Sequence, residues 1–178
     1  VSAAQELGSN CVIVVPCTDS TMADNAAKIS GVSKVIAAKS DVFSNYDAAA
    51  WAEALDSVMP DGVIVTAASA QSKDLAARLA ARRGIPVIQD VIAIDGGILS
   101  TPIYSGKAIQ NVSVSGNSVV SIRANIFPSA DNSGSSDVQV IDTTGNVTTA
   151  LKEMVQRASQ RLDVSEANII ISGGRGMG

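Results

Sequence analysis

The chain contains no histidine, only two cysteines, and only 3% aromatic residues. Each shortage removes a class of chemistry. Without histidine, the usual neutral-pH general base and the commonest imidazole metal ligand are both missing. Serines are plentiful, yet none has an evident activator, so no nucleophile–base pair can be assembled and zinc is not expected. Cys11 and Cys17 fit neither a C-x-x-C redox pair nor a zinc knuckle, and are expected as buried or half-buried free thiols in a reducing compartment. No apolar stretch is long enough to span a bilayer, so no membrane insertion is expected, and a start at Val1 does not report on targeting. Net charge is −4 without a long charge run, which argues against a nucleic-acid surface.

What is present is aliphatic. Apolar residues make up 46% of the 178, enough to bury a full core of Val, Ile, Leu and Ala. Strand and helix patterns alternate. Strands are expected at Cys11–Pro16, Lys34–Ala38, Gly62–Ala67 and from Pro86 to Gln89. Helices are expected around residues 3–7, closed by Gly8, and over Thr21–Ile29 with Met22, Ala26 and Ile29 on one face. Two more run over Tyr46–Met59 through Trp51, Leu55 and Val58, and over Ser69–Arg83 with Gly84 as its cap. The rhythm implies an α/β fold: a parallel sheet flanked by helices on both faces. An opening strand ahead of the first helix is expected to be missing.

The rhythm breaks at Gly96. Short strands at Ile98–Tyr104, Ile109–Val114 and Ser118–Phe127, separated by Gly/Ser turns, predict a small antiparallel insert. Ser129–Ser136 is polar and Gly/Ser-rich, and reads as mobile. Val138–Ile141 adds one strand. Thr148–Leu162 shows helical spacing through Leu151, Met154, Val155, Ala158 and Leu162. The domain reading is residues 1–162 as an α/β scaffold and residues 163–178 as the start of a second domain.

That second stretch carries the sharpest signal. Ile169-Ile170-Ile171 reads as a buried parallel strand, and Ser172-Gly173-Gly174-Arg175-Gly176 as a tight turn with unshielded backbone N–H groups beside one guanidinium. Such a turn suits an anionic cofactor, with Arg175 gripping a pyrophosphate or carbonyl oxygen; a plain strand-to-helix turn is the competing reading. It matches neither a Walker motif nor the dinucleotide fingerprint. Elsewhere, Asp90 at a strand end is read as structural rather than ligand-binding, and Ser69, Gln71 and Ser72 as helix-capping. Arg123 sits among apolar neighbours, where pairing with a carboxylate or a subunit is expected. Tyr104-Ser105-Gly106-Lys107 is turn chemistry.

Taken together, these stretches resemble the alpha subunit of the electron-transfer flavoproteins. The likeness is carried by Ala3-Ala4-Gln5-Glu6-Leu7-Gly8, Pro86–Ile94, Pro102–Ala108, Val120–Arg123 with Phe127, and Ile170–Gly176, in the family's order. Lys107 stands where the family usually has Asn. The resemblance implies a heterodimer with the electron-transfer flavoprotein beta subunit, carrying FAD as a one-electron shuttle. Donors would be acyl-CoA or related dehydrogenases, and the acceptor a quinone oxidoreductase, in bacterial cytoplasm or alternatively the mitochondrial matrix. Cofactor-binding roles fall on Arg175, Gly173, Gly174 and Ser172. The remainder of the flavin domain is absent from the sequence, so this stretch alone is not expected to retain FAD. Two other readings stand beside it: a free-standing adenine-nucleotide-binding α/β module with its ligand near Ser69 and Asp90, and a ligand-free interaction domain.

Overall fold

The computed structural model describes residues 1–148, Val164, residues 167–174 and Gly176. The helix expected over Thr148–Leu162 lies essentially outside these residues. Four α-helices, α1 (Ser2–Leu7), α2 (Thr21–Ala27), α3 (Ala48–Asp56) and α4 (Ala70–Arg83), alternate with the first strands. These are β1 (Val12–Cys17), β2 (Lys34–Lys39), β3 (Val63–Ala67) and β4 (Val87–Val91). Asp47 and Ser69 start α3 and α4 by accepting backbone N–H bonds, and Gly84 ends α4 in the left-handed region at φ 62°. Gly8 also follows a helix, but in extended backbone at φ −177°, so its position does not require glycine.

Three short sheets result. Parallel strands β1, β2 and β9 (Val138–Asp142) form one, with β2 in the centre. Parallel strands β3, β8 (Ser118–Ile122) and β4 form the second, with β8 in the centre. The antiparallel sheet holds β5 (Ala93–Asp95), β6 (Ile98–Ile103) and β7 (Ala108–Ser113). The α/β class and its antiparallel insert are as expected, with one correction. Ser118–Phe127 does not belong to the insert: β8 returns into the parallel sheet between β3 and β4. Its residues 118–121 are all buried, the pattern of a strand covered on both faces rather than one half-exposed.

Layering follows from alternation along the strands. Val14 and Ala38 face Leu55 of α3, whose cluster includes Leu79 of α4, while Ile64 and Val119 face Ala76 and Ala80 of α4. Ile13, Val15, Val35 and Ala37 point the other way, onto Ala23 of α2. Val63, Val120 and Ile88 likewise point away from α4, toward Leu7 of α1 and Leu99 of the antiparallel sheet. Helices α3 and α4 thus make one layer, and α1, α2 and the insert the other. The alanines that dominate the buried helix faces let backbones approach closely where aromatic residues are scarce.

Two local expectations fail. Met22 is 64% exposed, and the buried face of α2 runs through Ala23 instead, one residue along the helix. The Ser129–Ser136 stretch is not loose. Ser30 donates its N–H to Asp131 O, while Gly134 and Ser136 donate theirs to Lys28 O and Ala27 O, strapping the stretch across the end of α2.

Candidate functional site

The C-terminal turn is the first place to look. Ser172, Gly173 and Gly174 are exposed and lie outside any helix or strand; Arg175 falls outside the described residues. A methyl group added at Gly174 would meet nothing within 4 Å, so the backbone there is open to approach by a ligand. Walls are a different matter. Ile169, Ile170 and Ile171 are 83%, 58% and 95% exposed and pair with no described strand. Among the described residues the expected buried strand is therefore not formed: β-branched residues make a buried strand only where a sheet accepts them, and none of the three described sheets does. The described residues leave this turn approachable but do not enclose a flavin.

The carboxyl ends of the parallel strands, where open α/β sheets usually present ligands, hold a second constellation. Asp90, at φ 63° in the β4 irregularity, points its carboxylate at Arg123, just beyond β8. Arg123 Nη2 donates to Asp90 Oδ2 at 2.6 Å, and Nε donates to Oδ1 at 3.0 Å. The Asp90 N–H donates to Ser121 Oγ, 2.9 Å away. Hydrogen bonding from Arg123 holds the Asp90 carboxyl below its usual value; burial opposes this, and the Lys73 and Arg123 charges add to it. The structural reading of Asp90 and the carboxylate partner expected for Arg123 are both borne out. Arg123, however, stands at the end of a parallel strand rather than in the antiparallel insert. Ser121 was missed by sequence reasoning, although its place inside the continuous apolar run Val119–Ile122 marks a buried hydroxyl that needs a partner.

Ser69 Oγ accepts the N–H of Ser72 and caps α4, as expected. Asp90 and Ser69 are thus committed to holding the fold, which weakens the case for a nucleotide bound through them. Tyr104 and Ser105 take left-handed φ values of 51° and 56° at the β6–β7 tip, and Tyr104 is 78% exposed. Cys11 and Cys17 are buried and free, as expected. Burial, then the charge of Asp19, pushes the Cys17 thiol up against a smaller opposing effect of Lys39, so it is no ready nucleophile.

A groove of about 400 Å³ runs between the outer side of β4 and β7, lined by Pro86, Val87, Gln89, Gln110, Val112 and Ser115 among others. No ionisable residue lines it, so it offers no acid, base or charge clamp. Among the described residues no three Cys, Asp or Glu side chains gather to hold a metal. No described helix is long and apolar enough to cross a membrane.

Comparison with known proteins gives the family. Residues 1–146 match the model of the electron transfer flavoprotein domain. The electron transfer flavoprotein subunit alpha of Bacillus subtilis is 34% identical over 160 residues, covering 83% of this chain and 49% of the relative. The subunit alpha of Paracoccus denitrificans is 32% identical, covering 100% of this chain and 59% of the relative. A probable mitochondrial subunit alpha from Cryptococcus neoformans is 31% identical, covering 85% of this chain and 47% of the relative. The chain thus spans about half the length of the relatives it matches. It belongs to the electron transfer flavoprotein family, on the side of the alpha subunits.

Proposed function

We infer that the polypeptide acts as the alpha subunit of an electron transfer flavoprotein, with residues 1–162 as a scaffold that packs on a beta subunit. The observation that carries this reading is the Paracoccus denitrificans relative, an alpha subunit that aligns across the whole chain, the glycine turn included. FAD is the proposed cofactor. When bound, it supplies the electron-carrying chemistry; the chain positions it and sets the charge nearby. Gly173 and Gly174 leave backbone accessible, Ser172 and Arg175 offer a hydroxyl and a planar cationic fork, and Arg175 favours an anionic partner electrostatically. The described residues do not enclose a flavin, so no electron-transfer step is assigned to residues named here.

Electrons are proposed to arrive from acyl-CoA or related dehydrogenases and leave to a quinone oxidoreductase or similar acceptor. The proposed setting is bacterial cytoplasm, with the mitochondrial matrix as the alternative. The test is FAD retention by the complete alpha–beta complex. Arg175→Ala is expected to weaken FAD binding by at least tenfold, read from flavin absorbance after gel filtration. Unchanged retention would remove Arg175 from the site.

A further inference from the structure

The tip of the β6–β7 hairpin is held in a conformation that its own residues resist. After the last pair, Ile103 with Ala108, the chain turns through Tyr104 at φ 51°, Ser105 at φ 56° and Gly106 at φ 84°. Gly106 donates its N–H to Ile103 O at 3.1 Å and Lys107 donates its own to Tyr104 O at 3.3 Å, so backbone bonds close the turn. Left-handed backbone suits glycine and disfavours a bulky side chain. Two consecutive residues with side chains keep it at a cost to folding, and strain of this kind gathers where function needs it. Nothing inside the fold accounts for the tyrosine. Tyr104 is 78% exposed, and among the described residues its side chain makes no hydrogen bond and no aromatic contact. Phe43, Tyr46 and Trp51 instead meet edge to face in one cluster.

The sheet face behind this tip has the composition of a contact surface. Pairing places Pro102 opposite Ile109 and Ile98 opposite Ser113 on that face, while Leu99 and Thr101 point into the fold and are buried. Ile98 and Ile109 are 46% and 52% exposed. Between residues 96 and 122 the sequence carries a single charge, Lys107. Surfaces that face water are rich in charge, whereas the cores of protein interfaces lose charged residues and gain tyrosine. Exposed isoleucines, few charges and a strained aromatic at the rim fit a protein partner.

The path of the chain narrows the choice of occupant. Beyond β9, Thr143 donates its N–H to Lys39 O, Gly145 lies against the Ala50 backbone, and Asn146 donates its N–H to Glu53 Oε2 at 2.7 Å. Ala50 and Glu53 belong to α3, on the layer opposite the insert. The polypeptide therefore leaves the scaffold on the side away from the hairpin, which is left to a second polypeptide. For an alpha subunit, that polypeptide is the beta subunit. We propose that Tyr104 anchors the beta subunit, its ring in an apolar pocket of the partner and its hydroxyl hydrogen-bonded there, with Pro102 and Ile109 beside it. This inference rests on the alpha-subunit reading above.

The experiment uses the full-length alpha chain with the beta subunit and FAD. Tyr104→p-benzoyl-phenylalanine keeps an aromatic ring at the tip and makes it photoreactive, so mass spectrometry after illumination identifies what it touches. A crosslink to the beta subunit is expected. A crosslink to a second copy or to the same chain overturns the proposal, as does the absence of any. The second arm is Tyr104→Gly, which suits the left-handed backbone and removes the ring. Its dissociation constant for the beta subunit is expected to rise about tenfold or more, the loss typical of an interface anchor. The β6 and β7 amides of the assembled variant complex are expected to exchange no faster than those of wild type. An unchanged dissociation constant overturns the anchor, and so does faster exchange in the hairpin, which would make Tyr104 a structural residue. Failure of the wild-type chains to associate at all would sink the alpha-subunit reading itself, a result distinct from a loss confined to the variant.

Discussion

Asp90 and Arg123 close on each other across the carboxyl ends of β4 and β8, two strands that neighbour in space but lie 33 residues apart in sequence. The pair fixes a left-handed residue at the point where β4 leaves its register. Asn tolerates that backbone nearly as well as Asp, so Asp90→Asn removes the charge while keeping the turn. Because the folded carboxyl titrates below its ordinary value of 3.8, folding favours the ionised form. The associated stability is present above the unfolded value and disappears as pH falls through the folded one. Wild type is therefore expected to lose more stability than Asp90→Asn between pH 5 and pH 3 in urea titrations. Parallel losses in the two proteins would show that the pair carries no pH linkage.

Arg83 does more than complement the end of its own helix. Its side chain is only 13% exposed; it pairs with Asp56 at 2.6 Å and donates to the carbonyls of Asp56, Met59 and Pro60. A single planar fork thus closes the end of α3 against α4. Lysine keeps the charge but cannot reach several acceptors at fixed angles. Arg83→Lys is expected to cost about 1–2 kcal/mol, the typical worth of hydrogen bonds to a charged donor after water competes for the freed carbonyls. Denaturant midpoints with unchanged slope would measure it, and a cost below about 0.5 kcal/mol would reduce Arg83 to ordinary surface.

The elements built on local pattern were legible in the sequence; those built on distant pairing were not. Ser69, the Leu75–Leu79 spacing and Gly84 each act within one helix, and the expected α4 matches the observed one. The Asp47 cap and the four-residue 3-10 helix Asp41–Ser44 around Phe43 also depend on Trp51, whose indole N–H donates to Val42 O and Asn45 O, so the long helix expected from Tyr46 starts later. Strand β8 looked like the end of a meander because its neighbours β3 and β4 lie 25 or more residues upstream. Periodicity cannot tell an insert from a returning strand. The candidate flavin turn was found by motif, but the strand expected ahead of it depends on a sheet to receive it.

Gly134 offers a test of the strap. A methyl group there would stand 2.3 Å from Ile29 O and 2.7 Å from Ile29 C, both backbone atoms that cannot swing aside. Gly134→Ala must break the bond its N–H makes to Lys28 O or displace the end of α2. A loss of about 1–3 kcal/mol is expected, typical of overpacking. Asn132→Ala, in the same stretch but exposed, is the control and should stay within about 0.5 kcal/mol of wild type. Equal, small effects from both would mean the stretch is not held against α2.

Two serines of β8 are completely buried yet do opposite things. Ser121 Oγ accepts the Asp90 N–H, whereas Ser118 Oγ has no partner among the described residues. A buried hydroxyl without a hydrogen bond has given up water for nothing, while one that satisfies a buried amide offsets its own desolvation. Ser118→Ala removes only the unpaired oxygen, and the remaining Cβ keeps most of the packing beside Val63, its register partner. That substitution is expected to raise stability by up to about 1 kcal/mol. Ser121→Ala leaves the Asp90 amide without its acceptor and is expected to lower stability by about 1 kcal/mol. Thermal midpoints of the two variants should therefore move in opposite directions. A fall in both would mean that the Ser118 hydroxyl is satisfied, and a rise in both that the Asp90 turn does not depend on Ser121.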